Sequence, residues 1–157
     1  MNIKKHITIA IGVFLFLFLL VHACLADVVV STNKKAYKQG EEVEIIIVNS
    51  LKEEAYILWQ PYIIERYENG RWYEINIVWC PCRAACKVPA AVQIPNLGSM
   101  KYEWDQKEGK CFRSGEKKTQ VGAGRYRVNI RLYPDEEEIY SEFSILSASK
   151  VLRSGDE

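Results

Sequence analysis

The sequence predicts an antiparallel all-β domain, a sandwich or barrel of about seven strands, behind a hydrophobic N-terminal leader. Three observations lead to this prediction. Every second residue is apolar in the runs 42–49 and 125–133, which is the period of a strand with one buried face. Asn69-Gly70, a strong hairpin signal, lies between two β-rich runs. No segment after the leader has the period of a long amphipathic helix.

The first half of the domain is predicted to consist of short strands separated by polar turns. Apolar side chains at Val43, Ile45 and Ile47 share one strand face. Pro61 ends the last of these strands, because proline cannot donate to a sheet ladder. In chain order we predict a strand over 28–31, a turn over 37–40, a strand over 42–49, a loop over 49–54 and a strand over 55–59.

A central hairpin is predicted around Asn69-Gly70, because both residues tolerate the positive φ angles of a tight turn. Its two strands cover 62–67 and 72–78. A two-residue loop sets Tyr67 opposite Trp72, a favourable aromatic pair, and Glu65 opposite Glu74, an unfavourable like-charge pair. The hairpin is therefore predicted, and its register stays open.

The middle of the domain is predicted to be mostly loop. Three prolines leave no room for a regular element over 80–97. A short strand follows over 100–105. The polar stretch 106–122 is again a predicted loop.

The clearest predicted strand is 125–133, in which Tyr126, Val128, Ile130 and Leu132 face the core. The opposite face carries a basic stripe, which glutamates across the next hairpin are expected to balance: Arg125, Arg127 and Arg131. An acidic loop and a final strand complete the domain, over 134–138 and 139–146.

The N-terminus has the layout of an export signal. Lys4 and Lys5 precede a long apolar run, and small residues follow at its end. The chain therefore divides into a leader, a β-domain and a polar tail, over 1–26, 27–146 and 147–157.

Three fates of the leader stay open. A signal peptidase cuts after Ala26, or Cys24 is lipidated within a stretch that loosely resembles a bacterial lipoprotein box. In the third, Ile7 to Ala26 is kept as an anchor, since about 20 apolar residues span a bilayer. All three place the domain outside the cytoplasm.

The cysteines of the domain predict two disulfides, because Cys80, Cys82, Cys86 and Cys111 are an even number in an exported chain. A Cys80–Cys82 bond would close a very tight ring, so the pairing that contains it is disfavoured. Both other pairings tie Cys111 back to the 80–82 segment. Such a loop of about 30 residues contributes about 3.5 kcal/mol by chain entropy.

Histidine is confined to the leader, at His6 and His22. The domain therefore lacks the imidazole of Ser-His-Asp and Cys-His catalytic sets. The 21 Lys and Arg residues include Lys4 and Lys5, so nineteen basic residues in the chain after the leader face 20 acidic ones. The basic surplus of nucleic-acid-binding proteins is missing. We expect a non-enzymatic domain with no cofactor, no metal site and no nucleic-acid partner.

Several motifs resemble those of bacterial and archaeal secreted immunoglobulin-like domains. They lie at 37–49, 67–72, 104–105, 122–128 and 140–143. The resemblance implies an immunoglobulin-like antiparallel β-sandwich with a tyrosine corner at Tyr126. Val128 stands where antibody domains have their second sandwich cysteine, so no inter-sheet disulfide is implied. A weaker similarity extends to β-sandwich intracellular proteinase inhibitors.

The expected function is that of an exported binding module for a protein partner at the cell envelope. The cysteine-rich loop is the expected contact surface, with Trp79, Arg83 and Lys87 as candidate binding residues. Membrane contact is expected only through the leader or a lipid on Cys24. Two alternatives stay open, a β-sandwich protease inhibitor and a metal-binding protein that uses the four cysteine thiolates.

Overall fold

The computed structural model describes residues 28–87 and 89–147. The leader fates, with Cys24 and the cleavage site after Ala26, and the tail beyond Ser147 lie outside these residues. The described residues form strands and turns without a helix, so none of them belongs to a helix that could cross a membrane.

The described chain forms twelve strands. In order they are β1 (Val28–Thr32), β2 (Ala36–Lys38), β3 (Val43–Asn49), β4 (Ala55–Leu58), β5 (Ile63–Glu68), β6 (Arg71–Ile75), β7 (Ala91–Ile94), β8 (Ser99–Trp104), β9 (Lys107–Phe112), β10 (Gly115–Gln120), β11 (Gly124–Arg131) and β12 (Glu138–Leu146).

The strands form a β-sandwich, so the predicted all-β class is confirmed. One sheet has the order β1-β3-β8, and the other has the order β2-β12-β11-β5-β6. All pairs are antiparallel except β2, which runs parallel to β12. Two further two-stranded sheets, β4-β7 and β9-β10, complete the domain. The strand number exceeds the predicted seven because β7, β9 and β10 lie in predicted loops and β2 lies in a predicted turn.

The core lies between the two sheets and follows the predicted alternation. Tyr126, Val128 and Ile130 are fully buried, and Leu132 packs at the margin. Four aromatic rings meet at its centre: Tyr37, Trp104, Tyr126 and Phe143. Tyr126 stacks on Phe143 with ring centroids 5.8 Å apart. Such pairs add about 0.5–1.5 kcal/mol each to the burial of their surfaces.

The central hairpin has the register that a two-residue loop demands. Tyr67 pairs with Trp72 and Glu65 pairs with Glu74. Asn69 and Gly70 have φ angles of 49° and 81°, as a type I′ turn requires. The like-charge pair is tolerated because Arg127 on β11 binds Glu65 through two hydrogen bonds of 2.6 and 3.0 Å.

Two predicted loops contain strands. In the 80–97 segment, β7 pairs with β4 and buries Ile94 completely. In the 106–122 segment, β9 and β10 form a hairpin. The prediction missed this hairpin because its side chains are polar on both faces, so no alternation marks it.

A buried amide, Gln106, holds the start of β9 to the turn after β2. The backbone N–H of Gly40 donates to Oε1 of Gln106 (2.8 Å), and Nε2 of Gln106 donates to the carbonyl of Lys38 (2.9 Å). The N–H of Val121 donates to the Gln106 carbonyl (2.9 Å). Gln106 is fully buried at φ 55°, a backbone conformation that side chains rarely adopt.

Asn49 has a similar role at the opposite end of the sandwich. Its Oδ1 accepts the N–H of Leu51 (2.9 Å), and its Nδ2 donates to the carbonyls of Glu53 (2.8 Å) and Pro95 (3.2 Å). This buried side chain therefore pins the loop between β3 and β4 against the end of β7.

Candidate functional site

Two disulfides build the candidate site. Cys80 bonds Cys86 and Cys82 bonds Cys111, with Cα–Cα distances of 6.1 and 5.5 Å. This is one of the two pairings that the sequence left open, and the disfavoured Cys80–Cys82 bond is not formed. We call residues 79–87 the knuckle and the β9–β10 hairpin the finger. The Cys82–Cys111 bond joins them, and disulfides of this kind indicate an oxidising environment.

The knuckle contains a tight turn that presents Arg83 to solvent. The N–H of Ala84 donates to the carbonyl of Pro81 (2.9 Å), and Arg83 has a φ of 69°. Glycine normally supplies this left-handed conformation, because a Cβ makes it costly by about 1–2 kcal/mol. The flanking disulfides hold the turn nonetheless. Arg83 and Lys87 are both exposed, so two of the predicted binding residues are accessible to a partner.

Trp79 anchors the knuckle to the body of the domain. Its ring meets Tyr62 edge to face, with centroids 4.7 Å apart, and it packs against the core while staying partly accessible. The Tyr62 hydroxyl donates to the carbonyl of Glu103 (3.1 Å), and burial raises the pKa of Tyr62. Trp79 thus holds the first residue of the knuckle, which also contains Arg83 and Lys87, against the domain.

The finger is fixed to the domain at two points. The N–H of Gly109 donates to the carbonyl of Asn76 (2.8 Å), and Cys111 is bonded to the knuckle. Gly109 permits the close approach, because a Cβ there would lie 2.7 Å from Cγ2 of Val78. These two contacts attach the finger to the sandwich and to the knuckle.

One face of the finger is cationic and aromatic. Lys110 lies directly opposite Lys117, and strand alternation places Phe112 on the same face. The Phe112 ring is 50% exposed. Directly opposed like charges destabilise a strand pair, by up to about 1 kcal/mol. An anionic partner would remove this repulsion.

Five cations of the knuckle and the finger have no carboxylate partners among the described residues. This set comprises Arg83, Lys87, Lys110, Arg113 and Lys117. By contrast, Lys118 lies 3.6 Å from Glu116. The sequence prediction did not include the finger cations, because residues 110–113 are far from the knuckle in the chain and the Cys82–Cys111 bond joins the two segments.

The basic stripe on β11 is neutralised, as expected. Arg125 binds Glu142 (2.9 Å) and Arg131 binds Glu138 (3.1 Å) across the hairpin. Arg127 binds Glu65 instead. Its guanidinium also lies between the rings of Trp72 and Tyr140, 4.8 and 4.9 Å from their centres. This sheet face therefore carries no free positive charge from the stripe.

A shallow cleft of about 350 Å³ beside Trp79 has an acidic rim. The neighbouring carboxyl of Glu103, to which Glu42 is hydrogen-bonded, raises the pKa of Glu42. Within residues 28–87 and 89–147, no group of three or more His, Cys, Asp or Glu side chains is arranged to hold a metal ion.

No family model matches the chain, and no curated protein matches it. Solved structures match it at low similarity. They include the alkylpurine DNA glycosylase AlkC of Pseudomonas fluorescens (12% identity, TM-score 0.37). The match covers 76% of this chain and 30% of the AlkC chain. The match to the sporulation control protein Spo0M of Bacillus subtilis (11% identity, TM-score 0.40) covers 78% of this chain and 50% of Spo0M. The match to a β-glucosidase of Listeria innocua (13% identity, TM-score 0.39) covers 78% of this chain and 16% of the glucosidase chain. The chain thus spans half or less of each of these three chains.

Proposed function

We propose that this chain is an exported, non-enzymatic binding module of the cell envelope, whose knuckle and finger dock on an acidic protein partner. One observation carries the proposal. Five cations without carboxylate partners lie on the knuckle and the finger, which the Cys82–Cys111 disulfide joins, and the finger also exposes Phe112. Rigid loops on a β-scaffold commonly carry recognition, and little conformational entropy is lost when they bind.

An extracytoplasmic location is supported by the sequence and by the disulfides. The leader has a charged start, an apolar run and small residues before Asp27. Disulfides form and persist where thiols oxidise, outside the reducing cytosol. The proposal applies equally to a secreted, a lipidated and an anchored form.

A protein partner fits the surface better than a nucleic acid. The domain is close to neutral overall, so it lacks the long-range positive field that dominates nucleic-acid binding. Arginine and aromatic side chains are enriched among the residues that dominate protein interfaces. Arg83, Arg113 and Phe112 are of this kind.

The protease-inhibitor alternative draws less support from the knuckle. An inhibitor of this type inserts an extended loop into a protease cleft, whereas Arg83 lies in a tight turn. Purified protein assayed against a panel of secreted serine proteases distinguishes the two functions. Inhibition that depends on Arg83 would favour the alternative.

The test compares proteins captured from the envelope fraction of the native host by the oxidised wild-type chain and by an Arg83→Glu/Lys87→Glu variant. We expect the variant to lose capture of the specific partner. The matched control, Lys35→Glu/Lys38→Glu, changes the net charge equally at exposed positions on and beside β2 and should capture as the wild type does. Unchanged capture by the knuckle variant, or equal loss in both variants, would reject the assignment.

A further inference from the structure

A second surface of the domain carries negative charge, whereas the exposed face of the finger carries positive charge. It is a cleft of about 540 Å³ where β1, β4 and the β11–β12 hairpin meet. We call it the acidic cleft. Its lining combines an apolar floor with two carboxylates: Val28, Val29, Leu51, Glu54, Ala55, Tyr56, Leu132, Tyr133, Glu137 and Ile139. The size lies within the range of about 300–1,000 Å³ that is typical of ligand pockets.

The rim of the acidic cleft carries unpaired negative charge. The loops on its two sides bring further carboxylates next to Glu54 and Glu137. The full set is Glu53, Glu54, Asp135, Glu136 and Glu137. None of these forms an ion pair within the described part of the chain, and only Lys52 supplies a positive charge in the same two loops.

The cleft is preformed and open. The N–H of Tyr133 donates to the carbonyl of Tyr56 (2.8 Å), and Ile57 bridges to Leu132, so the floor is held by backbone bonds. Tyr56 and Tyr133 are 37% and 48% exposed at the mouth. Beside them, among the described strands, β1 pairs with β3 alone, so its other side has no strand partner there.

The finger of the same molecule does not reach this cleft. β3 separates β1, which lines the cleft, from β8, which leads into the finger. Gly109 and Cys111 also bind the finger to the opposite side of the domain, at Asn76 and Cys82. The two complementary surfaces therefore meet only between molecules.

We propose that the finger of one copy docks into the acidic cleft of a second copy. Phe112 then packs on the apolar floor, while Lys110, Arg113 and Lys117 face the rim carboxylates. This inference rests on the proposed function, because it identifies the acidic partner as another copy of this chain. The contact is heterologous, so each added copy leaves one finger and one cleft free, and the assembly grows into a chain or closes into a ring.

Sedimentation of the chain as its host produces it, in detergent where the leader is retained, tests the inference. We expect the average mass to rise with protein concentration. We also expect the average mass to fall when ionic strength rises from about 0.1 M to about 1 M, because the Debye length then decreases from about 10 Å to about 3 Å. Phe112→Ala should weaken association about tenfold or more. Tyr73→Ala, which removes another exposed ring, should leave association unchanged.

Mixing two defective variants gives the sharper test. Phe112→Ala keeps an intact cleft, and Glu54→Lys/Glu137→Lys keeps an intact finger. At a concentration where each variant alone is monomeric, an equimolar mixture should form a 1:1 pair. The pair also shows that both variants are folded. A monomeric wild type over the whole concentration range, or a mixture without pairs, would overturn the inference. Capture of an envelope protein through Arg83 and Lys87 would still uphold the proposed function in that case.

Discussion

The hydroxyl of Tyr126 donates a hydrogen bond of 2.6 Å to the carbonyl of Gly122, four residues earlier in the chain. This bond crosses from the start of β11 to the segment that follows the finger. A bond from a tyrosine hydroxyl at the start of a strand to the backbone a few residues upstream is the pattern of a tyrosine corner. Because the Tyr126 ring is fully buried against Phe143, the bond fixes the entry of the chain into the central strand.

Tyr126→Phe should lower the free energy of unfolding by about 1–2 kcal/mol. The substitution keeps the ring packing and removes only the hydroxyl, which leaves the Gly122 carbonyl without its partner. Denaturant unfolding measures the change. Tyr140→Phe is the matched control, since Tyr140 is 55% exposed and should change stability little. Equal effects in the two variants would contradict a structural role for the Tyr126 bond.

Gln106→Ala should cost about 2–4 kcal/mol of stability, because the Gly40 N–H and the Lys38 carbonyl lose their partners near a buried side chain. The exposed Gln93 on β7 provides a control of the same residue type, and Gln93→Ala should be close to neutral. Thermal or denaturant unfolding of the two variants gives the comparison. A cost below about 1 kcal/mol would show that water replaces the Gln106 amide.

The two disulfides should contribute unequally to stability. The Cys82–Cys111 bond spans 29 residues and the Cys80–Cys86 bond spans 6. Chain entropy then predicts losses of about 3.6 and about 2.4 kcal/mol when each pair is replaced by serine. Unfolding of the two double variants in denaturant measures the difference. The opposite order would mean that native-state contacts of the knuckle outweigh the entropy of the unfolded chain.

Glu42→Gln should stabilise the domain at neutral pH and have little effect in acid. Glu103 raises the pKa of Glu42 in the folded state, so folding favours the protonated carboxyl. The stabilisation is present below the unfolded pKa of about 4.3 and is lost as pH rises through the folded pKa. Glutamine keeps a neutral side chain at every pH, so the variant avoids this loss.

The neighbouring Glu41 supplies a control of opposite sign for the Glu42 prediction. A hydrogen bond from Lys34 lowers the pKa of Glu41, so its charged form favours folding above the unfolded pKa. Glu41→Gln should therefore destabilise the domain at neutral pH and lose this effect in acid. Melting temperatures of both variants and the wild type across the acid range test the pair. Shifts of the same sign at neutral pH would contradict the assigned carboxyl contacts.

Arg83→Gly should separate binding from stability. Glycine relieves the left-handed strain of about 1–2 kcal/mol but adds about 0.4–1 kcal/mol of chain entropy to the unfolded state. The net change is between zero and about 1.6 kcal/mol of added stability. Ala85→Gly, at a position without a positive φ, should instead destabilise by about 0.5–1 kcal/mol. Partner capture should fall for Arg83→Gly even though its unfolding midpoint does not.

Local signals in the sequence were sufficient for the strands of the main core. The alternation in β3 and β11 and the Asn69-Gly70 turn predicted elements that the structure contains at nearly the same bounds. Alternation works there because one face of each strand is buried and the other is not. The same reasoning failed for β9 and β10, which are polar on both faces, and for β7, where prolines suggested a loop.

By itself the sequence determined the all-β class, the arginine stripe and the prediction of two disulfides, since composition and short-range period decide these properties. The tertiary structure alone decided that Cys82 joins Cys111, that Gln106 is buried, and that the finger is bonded to the knuckle. Each of these depends on contacts between residues far apart in the chain. Such contacts are set by strand order and register, which a local pattern does not encode.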